Sequence, residues 1–133
     1  MRSFGAKIFV YERNKNIKLK GFKNTNLKYI FSKCDIVSIH LDSNERNFNF
    51  ISKKYISLMK KSSIFINTSR GEVVEENFLF SCLMKNKIAG VGLDVLQGDS
   101  SWNKKIGNKK IKNLIKNKKL IIKMKIGGNT EEA

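Results

Sequence analysis

What most constrains this chain is an alternation of two kinds of segment. Short runs of β-branched and aromatic residues recur along it, separated by stretches whose apolar residues fall at helical spacing. Lys7 to Tyr11, Asp35 to His40, Ser63 to Asn67, Ile88 to Leu93 and Leu120 to Ile122 are the strand-like runs. Between them, Asn24 to Lys33 carries Leu27, Ile30 and Phe31 on one side, with Asn24 or Thr25 able to cap it. Ser52 to Lys60 repeats the spacing through Tyr55, Ile56 and Met59, and Glu75 to Asn86 does so through Phe78, Leu79, Cys82 and Leu83. The last of these has acidic residues in its first turn and Lys85 near its end, which suits the helix dipole. Asn103 to Asn117 is lysine-rich and reads as helix or loop. Strands alternating with helices over short links predict a parallel sheet flanked by helices on both faces. The run Ser63 to Asn67, unbroken in its apolar residues, predicts a strand buried on both sides, and the small residues of Ile88 to Leu93 predict close approach of a neighbour.

With 133 residues there is room for one domain, and 41% hydrophobic residues suffice for an ordinary core. No apolar run has the roughly 18 residues of a membrane span, and the first residues lack a secretory pattern. Cys34 and Cys82 lie far apart and form no paired motif, so a reduced, cytoplasmic protein is expected. Lys and Arg total 27 against 11 acidic residues, a formal charge of +16. Such a field attracts anions, nucleic acid included. Yet the excess is lysine in the company of asparagine and isoleucine, and no nucleic-acid-binding motif accompanies it, so solvated faces account for the charge and a nucleic-acid role is not expected. Proline is absent, which leaves the turns to Gly, Asn, Asp and Ser.

Four stretches go beyond fold class. Ile66-Asn67-Thr68-Ser69-Arg70-Gly71-Glu72-Val73-Val74 resembles the arginine motif of the D-isomer-specific 2-hydroxyacid dehydrogenases. Ala89 to Val95 resembles that family's next strand and its aspartate, Ile126 to Ala133 the segment after its catalytic histidine, and Asp35 to Leu41 the strand usually written D-I-V-S-L-H-L. The resemblance runs from about Ser3 to Ala133 at consistent spacing. It implies a Rossmann-type doubly wound α/β domain, with NAD as cofactor and a 2-hydroxy or 2-oxo acid as the small-molecule substrate. Hydride removal from such an acid needs a cation to grip the carboxylate, and arginine at the C-terminal end of a strand offers a planar fork where these sheets bind ligands. Arg70 is that residue by resemblance. Thr68, Ser69 and Asp94 would lie at the nicotinamide end of the cofactor, with Gly127 and Gly128 beside them in the segment after the base. Glu12 would accept hydrogen bonds from the adenosine ribose and favour NAD, while Arg13 beside it weakens the exclusion of a 2′-phosphate. His40 matches a histidine that is distinct from the base and is read as structural or cofactor-adjacent.

Three departures bear on activity. The family's G-x-G-x-x-G and the strand before it fall upstream of the match to Ser3-Phe4-Gly5, so a sheet lacking its first strand and its pyrophosphate-binding loop is expected. Lys125 occupies the histidine position, and a solvated lysine is protonated near neutrality and cannot take a proton. Asp99 stands where the family's glutamate orients that histidine. Asp42, Lys61, Ser100 and Met124 replace turn prolines usual in the family. Residues 1–133 are thus expected to be a partial NAD-binding domain without the substrate domain, with little or no turnover. A homodimer, or a complementing fragment that fills out the sheet, are the expected protein partners. A remnant without catalysis, and anion or nucleic-acid binding through the ten lysines of Lys104 to Lys125, are the competing readings.

Overall fold

A computed structural model of the chain describes residues 5–14, 22–98 and 109–123. In chain order these form β1 (Phe9–Val10), β2 (Lys23–Asn24), α1 (Leu27–Lys33), β3 (Ile36–Ile39), α2 (Lys53–Ile56), β4 (Ile64–Asn67), α3 (Glu76–Met84), β5 (Gly90–Leu93), α4 (Lys109–Lys116) and β6 (Leu120–Ile122), with single tight turns of helix at Glu45–Asn47 and Gly71–Val73. Each long apolar run became a strand, usually shortened by a residue or two at its ends. The expected segment Asn103 to Asn117 is helical from Lys109; its first part lies outside the described residues.

All strand pairs are parallel. The sheet is in two pieces: β1 pairs with β2, and the other four run in the order β3-β4-β5-β6. The two-stranded piece is not hydrogen-bonded to the four-stranded one. In a doubly wound sheet of order 3-2-1-4-5-6 the first strand is the one that joins two such halves. The Rossmann-type class read from the sequence is the fold observed, with its strands in two separate parallel sheets.

Side chains alternate across a strand, so register assigns each residue to a face. Val37, Ile39, Phe65, Asn67, Val91, Leu93 and Leu120 fall on one face and are buried. Against it pack Phe31 of α1, Ile56 of α2, Leu79 and Leu83 of α3, and Ile111 and Leu114 of α4, in a single cluster. The opposite face carries Ile36, Ile64 and Ile121, which are 48%, 41% and 66% exposed. This corrects the expectation of a β4 buried on both sides: among the described residues the helices cover one face. It also changes the reading of the β5 glycines. A Cβ on Gly90 or Gly92 would meet nothing nearer than 3.5 Å, so neither is required by close packing there.

Helix ends follow from local chemistry. Asn26, rather than Asn24 or Thr25, caps α1: its Oδ1 accepts the Tyr29 N–H at 2.8 Å. Asn24 and its neighbour Lys23 are instead drawn into β2. The N-terminus of α2 has no cap from Ser52; the Glu75 carboxylate accepts the Lys53 N–H at 2.7 Å and sets a negative charge at the positive end of the helix. With no proline to stop them, α3 and α4 end on residues of left-handed backbone, Asn86 at φ 53° and Lys118 at φ 56°. In both, paired bonds close the last turn: Lys87 N–H to Cys82 O with Asn86 N–H to Leu83 O, and Lys119 N–H to Leu114 O with Lys118 N–H to Ile115 O.

Candidate active site

The C-terminal ends of β3 and β4 open into a cleft of about 500 Å³ lined by His40, Leu41, Asp42, Ser43, Thr68, Ser69 and Arg70. Three of the residues picked out from the sequence, Thr68, Ser69 and Arg70, are brought together here, and His40 joins them from the neighbouring strand.

Asn67 builds the β4 side. It is the last residue of the strand and is buried. Its Oδ1 accepts both the backbone N–H and the hydroxyl of Ser69, at 3.0 and 2.9 Å, and its Nδ2 donates to the Arg70 carbonyl at 2.8 Å. One amide therefore ties the chain into a turn that projects Arg70 outwards. The Arg70 side chain is exposed, and one of its nitrogens donates to the Ser69 carbonyl at 2.8 Å, which leaves further donors of the guanidinium for an anion. Behind it Gly71 is wedged against the chain leaving β5: a Cβ there would lie 2.1 Å from the Leu96 carbonyl carbon. No side chain fits, so the arginine turn and the β5 exit are locked together. Glu76 completes the joint, buried and accepting the Gln97 N–H at 2.8 Å.

Asp94 follows β5, and its N–H donates to the Asn67 carbonyl at 3.0 Å, which sets it beside the same turn. On the β3 side the His40 ring pairs through Nε2 with the Ser38 hydroxyl at 2.9 Å. Glu12, just beyond β1, is apart from the cleft lining; its carboxylate accepts the Asn14 N–H at 2.8 Å. Arg13, read from the sequence as weakening the exclusion of a 2′-phosphate, is engaged elsewhere. It donates to Asn47 Oδ1 at 2.6 Å and stacks 4.1 Å from the Phe50 ring centre. Asp99, Lys125, Gly127 and Gly128 lie outside the described residues.

The sequence reading did not single out Asn67 for a role of its own, or Asn47 at all. For Asn67 the signal was present, a buried-type position at the end of an apolar strand filled by a polar residue. For Asn47 the partner is 34 residues away and nothing local announces it.

The cleft lies at the C-terminal ends of parallel strands, the place where sheets of this class bind ligands. Comparison with known proteins gives the family. The model for "D-isomer specific 2-hydroxyacid dehydrogenase, NAD binding domain" matches residues 1–126, and the chain belongs to that family. A glyoxylate reductase of Thermococcus litoralis is 32% identical over 135 residues, covering 99% of this chain and 38% of the relative. The NAD-complexed crystal structure of a D-isomer specific 2-hydroxyacid dehydrogenase from Lactobacillus delbrueckii ssp. bulgaricus superposes with a TM-score of 0.79 at 32% identity, covering 91% of this chain and 39% of that one. D-lactate dehydrogenase of Aquifex aeolicus, complexed with NAD and lactic acid, gives 0.78 at 26% identity over 98% of this chain and 42% of its own. The chain thus spans about two-fifths of the length of these relatives. Among the described residues no helix is long and apolar enough to cross a membrane.

Proposed function

We propose that residues 1–133 are the cofactor half of an NAD-dependent D-2-hydroxyacid dehydrogenase, with Arg70 as the carboxylate anchor for a 2-hydroxy or 2-oxo acid. The observation that carries this is the turn built by Asn67, which holds Arg70 at the mouth of a cleft formed by two parallel strand ends. Glu12 would meet the adenosine ribose, and Thr68, Ser69 and Asp94 would border the nicotinamide; with Arg13 drawn away to Asn47, NAD is favoured over its 2′-phosphorylated form. NAD supplies hydride acceptance. The chain's own part is to hold the acid by its carboxylate and, in the family, to take the hydroxyl proton. At that last position stands Lys125, with Asp99 in place of the orienting glutamate. Gly127 and Gly128 continue the backbone past it. We therefore assign cofactor binding and carboxylate binding to this chain and little or no turnover. Two free thiols, at Cys34 and Cys82, suit a cytoplasmic setting.

Titration with NADH followed by its fluorescence, with D-lactate, D-glycerate and 3-phosphoglycerate assayed in parallel, tests this. Binding without turnover is expected, and Arg70→Ala is expected to weaken binding of oxamate, a carboxylate analogue, by about tenfold or more, as a lost charge-assisted fork should. Absence of NADH binding would overturn the cofactor assignment, and Arg70-dependent turnover would overturn the loss of catalysis.

The separation of the β1-β2 pair from the four-stranded sheet favours a second reading, that the sheet is completed by a strand from another piece. A peptide carrying a strand followed by G-x-G-x-x-G would then raise the melting temperature of the chain and restore pyrophosphate affinity.

A further inference from the structure

Asn47 is 1% exposed, yet it sits in the loop between β3 and α2 with charged groups on both sides. Its Oδ1 accepts from the Arg13 guanidinium at 2.6 Å, and its Nδ2 donates at 2.8 Å to both the carbonyl and the Oδ1 of Asp42. The other Asp42 oxygen accepts from Asn44 Nδ2 at 2.6 Å, and the Asn44 side chain in turn accepts the Asn47 N–H at 3.1 Å. Arg13 is fixed from behind by Phe50. A chain of hydrogen bonds therefore runs from the residue after Glu12, beyond the end of β1, to a residue that lines the Arg70 cleft.

Donor and acceptor roles leave little choice of side chain at position 47. A guanidinium only donates and an ionised carboxylate only accepts, so a side chain between them must accept at one end and donate at the other. The short amide does both without adding a charge. Aspartate would satisfy Arg13 and repel Asp42; lysine would do the reverse. Asp42 is itself one of the positions where the resemblance expects proline, which has no carboxylate, so the arrangement belongs to this chain's own residues.

We propose that Asn47 is a positioning residue that couples the Glu12–Arg13 strand end to the loop walling the Arg70 cleft, so that occupancy of the ribose end sets the shape of the acid-binding end. Its functional meaning rests on the cofactor reading above; its physical content does not. Among the described residues β1 pairs with β2 and with no strand of the four-stranded sheet, and the cleft loop is tied down only farther along, by the Ile51–Val74 bridge. A buried polar group that touches both sides is suited to carry coupling across such a junction.

The chain's single histidine, His40, lies in the cleft two residues from Asp42, so its imidazole NMR signal reports on the cleft without assignment ambiguity. N47D is expected to displace that signal most, by keeping Arg13 and expelling Asp42. R13A should move it in the same direction and less, R13K less again, and the R13A/N47D pair no further than N47D alone, since both act through one link. R46A, an exposed arginine in the same loop, should leave it in place. Far-ultraviolet circular dichroism checks that each variant is folded, and R13K, which keeps a donor, serves if the others are not. Additive displacements, or a signal unmoved by N47D in folded protein, overturn the coupling.

ADP, which has the ribose and pyrophosphate and lacks the nicotinamide, supplies the second arm. Saturating ADP should shift the His40 signal in the native chain and not in N47D. ADP that binds and leaves His40 unmoved overturns the coupling. ADP that fails to bind overturns the cofactor reading instead, and the variants alone then decide the role of Asn47.

Discussion

The two faces of the β3-β4-β5-β6 sheet are made of much the same residues and stand in different surroundings. On one, Val37, Phe65, Val91 and Leu120 are sealed under four helices. On the other, Ile36, Ile64 and Ile121 meet water, with Gly90 and Gly92 between them. A strand such as Ile64-Phe65-Ile66-Asn67 has an apolar residue on each side, a composition suited to a sheet covered twice. The covered face holds the domain together; the bare one shows that composition alone does not state which layers are present.

Substitutions can break or sharpen that contrast. The largest effect belongs to Phe65→Ala, which empties a fully buried site; a loss of about 3–5 kcal/mol in denaturant unfolding is expected. Asn67→Ala comes next. It lies on the covered face too, and its removal strands the Ser69 N–H and the Arg70 carbonyl, for about 1–3 kcal/mol. Its oxamate affinity should fall with it, whereas Phe65→Ala in folded protein should spare that affinity. Ile64→Ser, one residue from Phe65 and on the bare face, should cost no more than about 0.5 kcal/mol. A cost near that of Phe65→Ala would mean that a further layer covers this face in solution.

The smallest contrast is read by pH. Burial raises the Cys34 and Cys82 thiols, which pack on the helical side, above the ordinary thiol range, with nearby lysines opposing the shift. The folded chain then keeps its thiol protons to higher pH than the unfolded chain. Stability from this source is intact below the unfolded thiol pKa and is lost as pH rises from there through the folded value. Cys82→Ala should flatten the alkaline limb of a stability–pH profile, and an unchanged limb would remove the thiol from the account.

Much of this was legible in the sequence because parallel strands are short and continuous. β3 to β6 announced themselves, and the Arg70 turn was readable as a motif because its spacing is fixed by one strand and the turn after it. β2 was not, since two polar residues, Lys23 and Asn24, carry no strand pattern and owe their state to pairing with Phe9 and Val10. The clasp at Asn47 was invisible for a related reason: its two charged partners come from distant points of the chain, and only folding sets them on either side of one amide. The bare face could not be read either, because exposure depends on which neighbouring layers are present and not on the strand's own residues.

The two-residue ladder of β1 and β2 also has a consequence in time. β4 is held along its whole length from both sides, while β1 has two register pairs and the Thr25 N–H bonded to the Val10 carbonyl at 2.8 Å. In heavy water the amides of this small pair would exchange through openings that leave β4 closed. Among the described residues the first loosening is then at the β1–β2 pair, well before the core melts. A nucleotide that settles there would announce itself as slowed exchange at Thr25 sooner than as any rise in the temperature of global unfolding.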